Sequence, residues 1–192
     1  WERPNYFGPV DAPDGFDHDA RSFRRGGWWQ YAVEEVRAIR EGVGLIDATA
    51  FTKHLVRGPG ATAFLDGFTC NKLPKVGRIN LTYALTEAGT VRTEYTIIRL
   101  GEDEYYLVSA GAWADYDGDF LRKAAADFVA RGGGWVDIHD VTTQWGVFAV
   151  AGPKSRALLA PLVRDSVPET VLSNKRFPWL SMRGIELKMC PV

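Results

Sequence analysis

The 192-residue chain is 46% hydrophobic and 24% charged, the balance of an ordinary globular protein, and a chain of this size buries roughly 70% of its unfolded surface without staples. Its 23 Lys+Arg against 24 Asp+Glu leave a net charge of −1, which excludes bulk electrostatic attraction to nucleic acid or to an anionic membrane. No apolar run approaches the ~20 residues of a membrane span, and the two cysteines, Cys70 and Cys190, fit reduced, buried thiols better than a disulfide framework.

Residues 1–29 combine Pro, Gly, Asp and Arg with aromatic residues such as Tyr6, Phe7, Phe16 and Phe23. This reads as a linker with docked rings, leading from an upstream domain into a second region, residues 30–192. The start at Trp1 and the stop at Val192 set the expectation of a piece of a longer polypeptide, truncated at its C-terminal end. His18 lies between two aspartates with no partner at ligand spacing, so it reads as a loop residue, and no metal site is expected.

Gln30 to Glu41 predicts a helix with Val33, Val36 and Ile39 along one stripe and Gly42 at its end. Two later segments, His54 to Leu65 and Phe148 to Leu159, share a pattern 94 residues apart, counted from Gly58 to Gly152. Each reads as strand, Gly turn and helix, with Pro59 or Pro153 in the first helical turn. Phe64, Leu65 and Phe68 should then face a core, as should Leu158, Leu159 and Leu162. Two such β-Gly-Pro-α units point to a pseudo-duplicated α+β fold with mixed or antiparallel sheets and packed helices.

Between the copies, Ile79, Leu81, Tyr83 and Leu85 alternate with Asn80, Thr82 and Ala84, the period of a half-buried strand. Thr86 to Thr90 supplies a turn, and Val91 to Leu100 returns. With the loop at Glu87 to Thr90, Tyr83 faces Glu94. Such a pair on one concave pocket can hold a nitrogen-rich ring and handle its proton; the same spacing also fits a plain cross-strand contact. Glu104 to Ala110 follows as a third strand. Asp115 to Arg131 is the clearest helix, stopped by Gly132-Gly-Gly134. Trp135 to Ile138 is a short strand, and His139-Asp140 opens a polar corner without a serine or cysteine nucleophile pattern. Ser181 to Leu187 reads as a final strand.

An ordered series of segments then carries a resemblance: Trp1-Glu-Arg-Pro-Asn-Tyr-Phe, Val43-Gly-Leu-Ile-Asp47, Phe51-Thr-Lys53, Asn71-Lys-Leu-Pro-Lys-Val-Gly-Arg78, Thr93-Glu-Tyr-Thr96, Asp140-Val-Thr142 and Gly146-Val-Phe-Ala-Val-Ala-Gly-Pro153. Together they resemble the C-terminal aminomethyltransferase portion of the dimethylglycine/sarcosine dehydrogenase family, which is similar to the T-protein of the glycine cleavage system.

The resemblance implies a folate-binding domain that captures the methylene unit of an oxidised N-methyl amine on tetrahydrofolate. It also implies FAD in an upstream flavin domain of the same chain. It matches Glu94 to the catalytic carboxylate near the reacting folate nitrogens, Tyr83 to an aromatic position beside the pterin, and Val108, Ser109 and Ala110 to the strand lining the same pocket. Ala110 departs from the asparagine frequent in T-proteins. The family's Tyr-x-Gly-Glu-x-Gly-type segment has no counterpart before Val192, so this piece is expected to be inactive alone. Two other functions remain open on the same fold: a tetrahydrofolate-dependent O- or S-demethylase, and a non-catalytic folate-binding module. The expected partners are tetrahydrofolate, a small N-methylated amine and the flavin domain, with neither nucleic acid nor membrane; the expected location is the cytoplasm, or the mitochondrial matrix in a eukaryote.

Overall fold

The architecture is that of a computed structural model, which describes residues 7–11, 23, 25–159 and 161. The loop around His18, Leu162, Cys190 and the strand expected at Ser181 to Leu187 lie outside the described residues. The element order is α1 (Trp29–Glu41), β1 (Gly44–Asp47), β2 (Thr52–Arg57), α2 (Ala61–Phe68), β3 (Ile79–Leu85), β4 (Val91–Gly101), β5 (Glu104–Ser109), α3 (Ala114–Ala130), β6 (Asp137–Asp140), β7 (Phe148–Ala151) and α4 (Ser155–Leu159). This is the α+β class with antiparallel sheets. The chain divides into two compact units, one spanning Thr49–Val147 and the other joining segments before and after it.

In the first unit five antiparallel strands lie in the order β3-β4-β5-β2-β6. Alternation sends Tyr95, Ile97, Tyr105 and Leu107 to one face, where they are buried with Phe64 and Leu65 of α2 and Leu121 of α3. Burying side chains of this size stabilises by ~1.5–3 kcal/mol each. Phe68 joins the layers, its ring 5.2 Å from Phe120 and 6.0 Å from Tyr95. Gly132 takes φ +89 just past α3 and lets the helix stop there.

In the second unit β1 and β7 form a two-stranded antiparallel sheet, with Leu45 opposite Val150. The sequence gives no strand signal at β1 because its four residues, Gly44–Asp47, pair with a strand a hundred residues away. Helix α1 ends at Gly42 as expected, but no residue of it is buried among the described residues. Phe7 and Phe23, expected to be docked, are exposed. Leu158 is also exposed rather than in a core.

The two β-Gly-Pro-α units keep the same spacing throughout: strand ends at Arg57 and Ala151, Gly58 and Gly152 at φ +118 and +125, helix starts at Ala61 and Ser155. Both prolines precede the helix by two residues instead of lying in its first turn. The amide of Ala61 donates to the Gly58 carbonyl at 2.8 Å, and that of Ser155 to the Gly152 carbonyl at 3.1 Å. Each Gly-Pro therefore opens a β-turn, where proline presets the φ of the second position.

Candidate active site

The hairpin that carries the site forms as its residues dictate. Gly89 takes φ +77 in the turn, Thr86 and Thr90 close it with a backbone bond of 2.9 Å, and the ladder runs from Ile79 opposite Ile98 to Ala84 opposite Thr93. Tyr83 stands opposite Glu94. The Glu94 carboxylate, by hydrogen bonding first and by its charge second, raises the Tyr83 phenol above its ordinary pKa of 10.0.

The register then slips: Leu85 pairs with Val91, leaving Arg92 as the extra residue of a β-bulge. A bulge puts two consecutive side chains on one side of the sheet. Thr93 follows the alternation of Tyr95 and Ile97 onto the helix-packed face and donates from Oγ1 to Asp117 Oδ2 of α3 at 2.8 Å, and the bulged Arg92 lays its guanidinium over the ring of Tyr116, 3.1 Å from its centroid.

Strand β5 pairs with β4 only as far as Val108 opposite Thr96. It ends at Ser109, and the chain turns through Gly111–Trp113 into α3. The gap between this turn and the start of β4 is a cavity of about 560 Å³. Phe51, Trp113 and Tyr116 form its aromatic side, Val108 and Ala110 part of its wall, and Ser109 and Asp117 are buried residues reaching it. Glu94 stands exposed along its rim. The Ser109 hydroxyl is buried and has no hydrogen-bond partner. A volume of this size, with one aromatic side and a few convergent polar groups, suits a small organic ligand.

Of the five residues singled out in the sequence, Glu94, Val108, Ser109 and Ala110 come together on this cavity, whereas Tyr83 stands opposite Glu94 in the ladder and does not line it. Sequence reasoning missed Arg92, Thr93, Phe51, Trp113, Tyr116 and Asp117. The bulge hid the contact of Arg92 with α3, since strict alternation puts Arg92 on the face of Glu94, and Thr93 reads by the same alternation as a core-facing neighbour of Tyr95. Asp117 reads in sequence as an ordinary acidic residue at a helix start.

Two histidines fall elsewhere. His139 is a strand residue of β6 rather than the start of a polar corner; its Nε2 meets Asp137 Oδ2 and lies 3.1 Å from Arg57 Nη2. His54 on β2 is 1% exposed, with neither ring nitrogen hydrogen-bonded. Burial lowers its pKa below 6.5, Asp140 and Asp117 oppose this, and Arg122 adds to it. Cys70 is a free thiol but is exposed, contrary to expectation.

Comparison with known proteins places the chain. It is 31% identical over 193 residues to the mitochondrial dimethylglycine dehydrogenase of Rattus norvegicus, covering 100% of this chain and 21% of the relative. It is 36% identical over 148 residues to an aminomethyltransferase of Thermus thermophilus, covering 76% of this chain and 40% of the relative. The chain thus spans about a fifth of one relative's length and two-fifths of the other's. Among solved structures, the glycine cleavage system aminomethyltransferase T from Bartonella henselae matches with a TM-score of 0.59 and 26% identity, over 67% of this chain and 34% of that one. The family model of the GCVT N-terminal domain matches residues 1–192, and the chain belongs to that family.

Proposed function

We propose that this domain binds tetrahydrofolate at the cavity beside β4 and serves one-carbon capture from an oxidised N-methyl amine, with Glu94 as the catalytic carboxylate. The single observation that carries the reading is an exposed carboxylate on the rim of an aromatic-sided cavity, in a chain similar along its whole length to a dimethylglycine dehydrogenase. The FAD that oxidises the amine would belong to another domain of the full-length protein, reached through residues 1–29, with residues 30–192 as the folate-binding region.

The residues present fit the cofactor. Phe51 and Trp113 offer flat apolar surface to a bicyclic ring, Arg92 covers the ring of Tyr116, Val108 and Ala110 border the same space, and Glu94 would accept hydrogen bonds from ring N–H groups. Tetrahydrofolate, when bound, supplies the nucleophilic nitrogens that take up the one-carbon unit. Glu94 would orient the acceptor and receive the proton released as the new C–N bond forms. Tyr83 stands opposite Glu94 on the facing strand. A base placed in this way contributes ~10²- to 10⁴-fold in rate.

The test uses the full-length protein with Glu94→Gln. The amide keeps the size and most of the hydrogen bonding, so folate affinity should change by no more than the ~0.5–1.5 kcal/mol of one hydrogen bond. Formation of methylenetetrahydrofolate should slow by ~10²- to 10⁴-fold, with free formaldehyde rising and flavin reduction unchanged. Methylenetetrahydrofolate formed at the wild-type rate would reduce Glu94 to a sheet residue.

A further inference from the structure

We infer that the Ser109–Asp117 floor of the Glu94 cavity is an ammonium subsite, which receives the protonated or N-methylated nitrogen of a small amine. Asp117 is 2% exposed, and its recorded hydrogen bond comes from a neutral donor, the Thr93 hydroxyl, at 2.8 Å. Its position in the first turn of α3 stabilises a negative charge. Among the described residues it forms no ion pair. Arg92, the one cation among the described residues that line the cavity, lies instead on the rings of Tyr116 and Phe120, at 3.1 and 5.0 Å from their centroids. A buried carboxylate so placed is desolvated without a cationic partner, and an arriving cation gains that unspent attraction.

The second observation is independent. Ser109 is 4% exposed, its hydroxyl has no partner, and it reaches the same cavity. A hydroxyl left unpaired there costs free energy until a polar group of a ligand, an N–H or a hydroxyl, meets it. The aromatic side adds a third attraction. Trp113 and Phe51 present rings to the cavity, and a desolvated alkylammonium beside aromatic faces gains appreciably from their quadrupoles. Arg92 shows this preference in the structure, since it rests on Tyr116. The contact between Thr93 and Asp117 also ties α3 to β4, but that role requires neither the unpaired serine nor the aromatic rim.

The subsite rests on the folate reading only for its purpose, which is to hold the cationic nitrogen of the oxidised donor, and of the amine it leaves behind, near Glu94; cation binding itself needs no folate. The experiment titrates choline and its neutral isostere 3,3-dimethylbutan-1-ol into the full-length protein, observing the Trp113 indole resonance so that binding elsewhere is not counted. Tetrahydrofolate is titrated in parallel samples. Choline should bind saturably and about tenfold more tightly than the isostere. Asp117→Asn should remove that preference while folate affinity stays within about threefold. Trp113→Leu, at an exposed position, should reduce the preference too and serves if Asp117→Asn does not fold. Equal binding of choline and isostere, no saturable choline response at Trp113, or an unchanged preference in the variants overturns the subsite. Folate binding without choline binding leaves the folate reading standing and ends this one; choline binding without folate binding does the reverse.

Discussion

Tyr83 and Glu94 stand opposite each other on β3 and β4, yet only Glu94 reaches the cavity. Their relationship is electrostatic: the Glu94 carboxylate shifts the titration of a phenol that stands outside the cavity. This gives a direct spectroscopic handle. The Tyr83 phenol is raised above 10.0 chiefly by hydrogen bonding with Glu94, so Glu94→Gln should bring its titration back down towards that value. Spectrophotometric titration, with Tyr83→Phe identifying the signal, reads the shift. A Tyr83 titration that does not move in the variant would separate the two side chains.

His54 should make the fold sensitive to mild acid. Its pKa is lowered by burial, so the unfolded chain binds the proton more readily than the folded one. Stability is then fully present above pH 6.5 and is lost as pH falls through the lowered folded pKa. The neighbouring Asp140 also titrates low; burial works against this, and hydrogen bonds from Thr142 outweigh it, so its loss comes below 3.8 in a separate window. His54→Leu removes an unpartnered buried ring and should leave stability at neutral pH within about 1 kcal/mol. Urea unfolding between neutrality and mild acid should show a slope in wild type that the variant lacks.

Lys53 is fully buried, its ammonium donating to the carbonyls of Thr49 at 2.6 Å and Thr142 at 2.9 Å. It ties the start of β2 to a loop 89 residues away. Lys53→Met keeps the stem and strands those carbonyls, which should cost about 1–3 kcal/mol or more. Thermal unfolding should drop by ~2–4 °C for each kcal/mol lost. An unchanged melting temperature would show that other groups satisfy both carbonyls.

Two glycines seven residues apart should respond to alanine with opposite signs. A Cβ on Gly60 would sit 2.2 Å from the Gly134 carbonyl oxygen, a backbone atom that cannot step aside, so Gly60→Ala should destabilise by about 1–3 kcal/mol. Gly67, exposed within α2, has nothing within 4 Å of the same atom. Gly67→Ala should stabilise by up to ~1 kcal/mol through helix propensity. Denaturant midpoints of the two variants measured together decide both.

The hairpin was legible because alternation over seven residues and a glycine turn fix register, and Tyr83 opposite Glu94 followed from counting alone. The duplicated Gly-Pro units were legible because a fixed offset of 94 survives in the sequence. What escaped had no local signature. The slip at Arg92 changes no residue type, the short β1 depends on a distant partner, and the burial of Lys53 depends on two loop carbonyls. Asp117 became a candidate only when the fold set α3 against Thr93 of β4.

That bulge also gives the site a detachable part. Leu85 pairs with Val91 and Ala84 with Thr93, so Arg92 alone is supernumerary in the ladder. Removing it would close β4 into a regular strand with every other residue keeping its neighbour and its face. The cavity's lining would change from two carboxylates and one guanidinium to two carboxylates alone. A family of such domains could thus alter the charge of this cavity by one residue of length, with its other lining side chains left in place.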